Sequence, residues 1–249
     1  MIETRIWSRV RWAALLAGRI LVWFAAAGFC LAATAQDPAS AAGRLIAAQG
    51  IPPAVAACAG CHGARGEGGA AFPRLAGTGQ AYLQAQLAAF AGGTRKNPIM
   101  QPIAQGLSPA QREVIAHYYS QLPAPAAPQA VPTDAADRGA LLASRGRWLD
   151  QLPACNQCHG PNGIGVGSTF PPLAGLPAAY ITAQLLGFKQ GTRPPGPLDL
   201  MKTIATKLQD DEMVAVGKYY AGLTSTAPAA TAATAAPTVT SSPKGKATP

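Results

Sequence analysis

The sequence contains one unit written twice, and this internal repeat limits the fold more than any other feature. Cys58-Ala-Gly-Cys61-His62 recurs 97 positions later as Cys155-Asn-Gln-Cys158-His159. The motif Phe-Pro-x-Leu-Ala-Gly follows each of them, beginning at Phe72 and at Phe170. Further matched positions pair Tyr82 with Tyr180, Gln86 with Gln184, Arg95 with Arg193, Met100 with Met201, and Tyr118-Tyr119 with Tyr219-Tyr220. The repeat predicts two similar domains, at residues 40–124 and 137–224.

The segments outside the two units have a different composition. Residues 125–136 are rich in Pro and Ala, which predicts a semi-extended linker. Residues 225–249 consist mainly of Ala, Thr, Ser and Pro, which cannot bury a core and predict a disordered tail. Residues 1–35 are typical of a cleaved signal peptide, with basic residues, a short apolar run and Ala33-Thr34-Ala35 at the cleavage point. Arg19 leaves the apolar run too short for a membrane anchor, which is the alternative, so we expect export to the periplasm.

Both units show helical signals and neither shows a convincing strand pattern. Ser108-Pro109-Ala110-Gln111 has the capping serine, the proline and the glutamine of a helix start. Asp210 is the predicted cap of the corresponding helix in the second unit. A second amphipathic helix is predicted from Tyr82 to Phe90, ended by a glycine pair. The expected class is all-α.

The two Cys-x-x-Cys-His motifs indicate covalent haem attachment. Two cysteines three residues apart on a helical turn can each bond one vinyl group of a haem, with the adjoining histidine as the fifth iron ligand. The predicted attachment residues are Cys58, Cys61, Cys155 and Cys158, and the predicted iron ligands are His62 and His159. Disulfides do not explain the two histidines, and 93 residues separate the pairs, unlike the pairs of a zinc ribbon. A thioredoxin-like redox motif needs a βαβ pattern, which the sequence lacks.

Methionine is the expected sixth ligand of each iron. Met100 and Met201 occupy matched positions, in predicted loops before each terminal helix, and His/Met ligation is the cytochrome c pattern. Met213 has no counterpart in the first unit, so we place it in the core. His117 also lacks a counterpart and is expected on a solvated helix face.

Three further matched pairs are candidates for orienting the cofactor. The carbonyls of Pro73 and Pro171 suit the other ring nitrogen of each ligating histidine, although a plain turn proline is the alternative. Arg95 and Arg193 are candidates for pairing with haem propionates. Tyr82 and Tyr180 are candidate hydrogen-bond donors to the same groups. For these two pairs, ordinary surface placement is an equal alternative.

The composition fits two small cofactor-centred cores and no nucleic-acid partner. Aromatic residues make up 6% and charged residues 12% of the chain, too few large side chains for one conventional core. The formal charge of +9 falls to +6 without the signal, since 16 basic and 10 acidic residues remain. Four haem propionates bring this close to neutral, and no basic stripe interleaved with aromatic residues is present.

Taken together, these motifs resemble a class I cytochrome c, and their tandem arrangement resembles the dihaem cytochromes of the c-four type over residues 40–224. The resemblance implies two covalently bound haem c groups and periplasmic electron transfer from a quinol-oxidising complex to a terminal oxidase, with transient docking on membrane complexes. A cytochrome subunit that accepts electrons from a periplasmic dehydrogenase is the alternative. A dihaem peroxidase is disfavoured, because paired methionines leave no open iron site. We therefore expect an electron carrier and not an enzyme.

Overall fold

The computed structural model describes residues 37–124 and 137–223. The predicted signal peptide, linker and tail lie outside these residues. The described part of the chain is helical, and its only extended pairings are three isolated β-bridges. The first unit contains five helices: α1 Pro38–Gln49, α2 Ala59–His62, α3 Gln80–Ala91, α4 Met100–Gln105 and α5 Pro109–Gln121. The second unit contains five more: α6 Arg138–Ser144, α7 Cys155–His159, α8 Ala178–Gln190, α9 Leu200–Thr206 and α10 Asp210–Gly222.

The helices of the two units correspond in order, and the all-α prediction is confirmed. Ser108 caps α5 as predicted: its side chain accepts from the Gln111 amide, and the Gln111 side chain accepts from the Ser108 amide. The predicted cap of α10 was wrong by one position. Gln209 precedes that helix with extended backbone and shares a capping box with Glu212, so Asp210 is already helical.

Each unit has its own hydrophobic cluster beneath its first and last helices. In the first unit α5 packs on α1 and α3, and in the second unit α10 packs on α6 and α8. Glycine allows the close crossing of first and last helix: a Cβ atom at Gly43 would collide with the Val114 carbonyl, and one at Gly139 with the Ala215 carbonyl. Met213 is fully buried in the second cluster, which confirms its predicted place in the core.

The two units also contact each other directly. The Tyr82 amide at the start of α3 donates to the Ser168 carbonyl at 2.9 Å. At the same boundary, Arg95 in the loop after α3 donates to Gln184 on α8, and Arg193 in the loop after α8 donates to Gln86 on α3. Residues 38–124 and 137–223 therefore lie within one compact body that contains both repeats. No helix of this described part is both long and apolar enough to cross a membrane.

Candidate haem-binding sites

The first Cys-x-x-Cys-His motif folds as a single helical turn. The amides of Cys61 and His62 donate to the Cys58 carbonyl at 3.2 and 2.9 Å, which brings both cysteines onto one side of the turn. His62 is buried, and its Nδ1 lies 2.8 Å from the Pro73 carbonyl oxygen. A carbonyl can only accept, so Nδ1 carries the proton and the lone pair of Nε2 is left for a metal ion.

The second motif repeats this arrangement. Cys155 and Cys158 lie on α7, His159 ends that helix and is buried, and its Nδ1 lies 2.8 Å from the Pro171 carbonyl oxygen. Burial lowers the pKa of both His62 and His159, which favours the neutral imidazole that a metal requires. The carbonyl oxygens of Pro73 and Pro171 therefore accept from the histidine ring nitrogens, as the sequence predicted.

An aromatic ring and a tight loop orient each histidine further. Phe72 meets the His62 ring edge-on with centroids 6.0 Å apart, and Phe170 meets the His159 ring at 6.4 Å. Behind each histidine, the amide of Gly68 or Gly165 donates to the histidine carbonyl at 2.7 Å. The imidazole positions are thus held from several sides.

The four cysteines are free thiols, so the disulfide alternative finds no support in the described residues. Burial raises the pKa of the Cys58 thiol and raises that of Cys155 to about 11. The described residues also contain no group of three or more His, Cys, Asp or Glu side chains that could hold a metal ion.

The sequence predicted that the two proposed methionine ligands lie in loops. In the structure both lie at the starts of short helices instead. Met100 is the first residue of α4, and its amide donates to the Asn97 side chain at 2.9 Å. Met201 is the second residue of α9 and packs against the hydrophobic cluster of its domain. Both side chains are half-buried, whereas Met213 is fully buried. The assignment of Met100 and Met201 as iron ligands stays a prediction.

His117 differs from its expected environment. Its side chain is half-buried, and its Nδ1 lies 3.2 Å from Oε1 of Gln80 on α3. It therefore faces a neighbouring helix instead of open solvent.

Arg95 and Arg193 meet at the boundary between the domains, in what we call the arginine cluster: Arg95, Arg193, Tyr82, Tyr180, Gln86 and Gln184. Arg95 donates to Tyr180 Oη at 3.2 Å and to Gln184 Oε1 at 2.7 Å in the other domain. Arg193 donates in the opposite direction, to Tyr82 Oη at 2.7 Å and to Gln86 Oε1 at 3.3 Å. Each guanidinium also stacks on a phenylalanine of its own domain, Phe90 or Phe188, 4.4 and 4.2 Å from the ring centroid.

The arginine cluster carries two buried positive charges. Arg95 is 7% and Arg193 8% exposed, and the acceptors that they contact are neutral oxygens. Burial, and secondarily the charge of Arg95, lowers the pKa of Arg193. Buried cations need an anionic partner to offset their desolvation, so this environment suits the carboxylates of haem propionates. The pairing with propionates stays a prediction, as does hydrogen bonding from Tyr82 and Tyr180.

The sequence did not predict that these side chains join the two domains, nor any role for Gln86 and Gln184. Both glutamines stand at matched positions of the repeat, four residues after the tyrosines. Their matched positions were the one feature of the sequence that indicated a role for these glutamines. It could not show contact across the domain boundary, because each unit is complete in its local pattern.

The donor set in each domain fits haem c. Two thiols on one helical turn, an imidazole with a free Nε2 and cationic side chains for carboxylates are the groups that covalent haem attachment uses. When bound, each haem supplies one-electron chemistry, by cycling its iron between Fe(III) and Fe(II). The fold and these sites define a c-type cytochrome with two attachment sites.

Comparison with known proteins identifies the family. Residues 47–123 match the cytochrome c family. A thiosulfate dehydrogenase electron acceptor of Stutzerimonas stutzeri is 45% identical over 204 residues, which cover 81% of this chain and 94% of that protein. The chain belongs to the cytochrome c family, and its two-domain architecture is that of the cytochrome c4 type.

Two solved structures extend the comparison. The structure of reduced cytochrome c4 from Pseudomonas stutzeri matches this fold with a TM-score of 0.63 and 33% sequence identity. The match covers 74% of this chain and 98% of that chain. The thiosulfate dehydrogenase TsdBA from Marichromatium purpuratum has a TM-score of 0.66 and 41% identity. That match covers 73% of this chain and only 40% of the TsdBA chain. The relatives support covalently bound haem c, two haems in two domains, and a role as an electron carrier.

Proposed function

We propose that this cytochrome accepts electrons from a thiosulfate-oxidising dehydrogenase in the periplasm. The observation that carries the proposal is the 45% identity to an electron acceptor of thiosulfate dehydrogenase along 94% of that protein. Cytochrome c4 from Pseudomonas stutzeri, of similar coverage, is only 33% identical. The TsdBA chain adds support. The region that is similar to this protein forms 40% of a longer polypeptide, and that polypeptide is named thiosulfate dehydrogenase.

The chain's own residues prepare each site for this role. The Pro73 and Pro171 carbonyls hold the tautomer and orientation of His62 and His159. The cysteines of each motif provide covalent anchors on a single helical turn. Met100 and Met201 are the proposed thioether ligands, which leave no open coordination position for a substrate and favour electron transfer over catalysis. The two buried arginines of the arginine cluster would supply positive charge to haem propionates at the boundary between the domains.

The periplasmic location belongs to the same proposal. It rests on the basic and apolar pattern of residues 1–35, which is typical of a secretory signal.

Anaerobic reduction of the purified holoprotein tests the function. The oxidised cytochrome is mixed with thiosulfate and catalytic amounts of the thiosulfate dehydrogenase of the host organism, and the reduced α-band is followed. We expect full reduction only when both thiosulfate and dehydrogenase are present. A cytochrome that stays oxidised in the complete mixture, but is reduced by dithionite, contradicts the proposal.

A second function is favoured by the likeness to cytochrome c4, namely electron transfer from a quinol-oxidising complex to a terminal oxidase. Membranes containing a quinol-oxidising complex should then reduce the cytochrome when quinol is added. This assay separates the two donors, because only one of them requires thiosulfate.

A further inference from the structure

A loop in the second domain presents two large apolar side chains to solvent. We call residues 147–152, which lead towards the second Cys-x-x-Cys-His motif, the Trp148 loop. Trp148–Asp150 form a short 3-10 turn, with Trp148 62% exposed and Leu149 fully exposed. Scattered apolar residues are common on protein surfaces, but an exposed tryptophan beside an exposed leucine resembles the centre of an interface.

The Trp148 loop is held in place by hydrogen bonds and ion pairs. Its ends are joined by backbone hydrogen bonds in both directions between Arg147 and Leu152, at 2.7 and 3.0 Å. Arg147 also donates to the Asp150 carboxylate at 2.7 Å and forms an ion pair with the buried carboxylate of Glu212. Lys207 on the other side donates to the Asp150 carbonyl at 3.0 Å. A loop that is already ordered loses little conformational entropy when a partner binds.

The fold does not require these apolar side chains. In the first domain the corresponding bridge joins Ile51 and Val55 and encloses Pro52, Pro53 and Ala54. That loop is one residue shorter and carries no large exposed side chain at its tip. The tryptophan, the leucine and the bracing ion pair therefore distinguish the second domain from the first.

The position of the loop connects it with electron transfer. Leu152 is buried in the hydrophobic cluster of the second domain, and only Pro153 and Ala154 separate it from Cys155. Cys155 packs against the same cluster, so a protein bound on the Trp148 loop contacts a segment whose base shares a core with the second attachment site. Charged side chains of Arg147 and Asp150 border the apolar pair, as a polar rim borders the apolar centre of a transient interface.

We propose that the Trp148 loop is the docking site for the electron-donating dehydrogenase, whose surface receives Trp148 and Leu149 in an apolar pocket. The identity of the partner rests on the proposed function. Each productive encounter oxidises the donor by one electron and reduces the cytochrome by one electron. Apolar contact supplies the affinity, so the encounter depends only weakly on salt.

The test uses the full-length holoprotein and the double variant Trp148→Ala/Leu149→Ser. The initial rate of reduction by thiosulfate and the dehydrogenase is measured over a range of cytochrome concentrations. We expect the half-saturating concentration to rise roughly tenfold or more, since loss of a central interface tryptophan commonly has an effect of this size. Both midpoint potentials and the rate of reduction by ascorbate should equal those of the unchanged protein.

Leu45→Ser provides the matched control. Leu45 is an exposed leucine on α1 of the first domain, and its replacement should leave the half-saturating concentration unchanged. A double variant with the same concentration dependence as the unchanged protein overturns the docking site and leaves the proposed function intact. An unchanged protein that the dehydrogenase never reduces overturns both.

Two other occupants give distinct results. If the unchanged protein binds anionic phosphatidylglycerol vesicles and the double variant does not, the loop is a membrane contact. If the unchanged protein dimerises in sedimentation experiments and the double variant is monomeric, the loop joins two copies of this chain. Either result, combined with unaltered kinetics towards the dehydrogenase, overturns the proposal.

Discussion

Replacing Tyr82 by phenylalanine removes a single oxygen atom from the arginine cluster. That oxygen accepts from Arg193 at 2.7 Å, and the guanidinium is only 8% exposed, so water cannot readily replace the lost acceptor. A hydrogen bond to a charged group contributes about 1.5–3 kcal/mol. Arg193 retains the Gln86 oxygen at 3.3 Å as a weaker acceptor for the same nitrogen. We therefore expect Tyr82→Phe to lower the free energy of unfolding by about 2 kcal/mol.

Tyr180→Phe is the matched control, because it removes the equivalent oxygen on the other side of the cluster. The bond from Arg95 to Tyr180 is longer, 3.2 Å, and the same Arg95 nitrogen also donates to Gln184 at 2.7 Å. The expected loss is therefore smaller, about 0.5–1 kcal/mol.

Guanidinium chloride unfolding of the two holoproteins, followed by far-ultraviolet circular dichroism, measures both losses. In a thermal scan, the larger loss corresponds to a shift in Tm of roughly 4–8 °C for a body of this size. Equal losses in the two variants, or a larger loss in Tyr180→Phe, would refute the assignment of Arg193 to Tyr82 as the stronger contact.

Three further predictions concern other parts of the chain. Burial alone would raise the pKa of Glu212, but hydrogen bonds and charges from two arginines hold it below the usual value. The charged Glu212 carboxylate therefore stabilises the fold above the usual carboxyl pKa, and this contribution is lost as pH falls through the lowered pKa. Glu212→Gln should reduce the free energy of unfolding at pH 7. It should also make that free energy depend less on pH under acidic conditions, as measured by denaturant unfolding at a series of pH values. Met100→His and Met201→His should each remove about half of the far-red charge-transfer band of Fe(III) and lower one midpoint potential, while Met213→Leu leaves both unchanged. Mass spectrometry of the mature protein should find Gln36 at the amino terminus, and a retained segment 1–35 would contradict signal cleavage.

The local features of the fold and the sites could be predicted because they depend on neighbouring residues. The Cys-x-x-Cys-His turn, the capping box at Ser108 and Gln111 and the proline acceptors all lie within about a dozen residues of their partners. The cap of α10 was placed one residue late, because an Asp beside a Gln is the commoner cap in sequence statistics. In the structure, the long Gln209 side chain serves instead, with Glu212 completing the box.

The contact between the domains could not be predicted in the same way. Arg95 and Tyr180 are 85 residues apart, and the cluster is formed by two units whose local patterns are complete without each other. A repeat shows that two units are alike but not which faces they present to one another. The conformation of the Trp148 loop could not be predicted for a related reason, since its Arg147 contacts Glu212, 65 residues away in sequence.

The number of covalent haems and of electrons per chain tests the central claim most directly. Purified holoprotein is assayed as the pyridine haemochrome after extraction with acidified acetone, and then titrated anaerobically with dithionite. Two attachment turns, each with a buried histidine, predict two haems that stay with the polypeptide and two electrons accepted per chain. One haem or one electron per chain, or haem that is extracted by the solvent, would contradict the account.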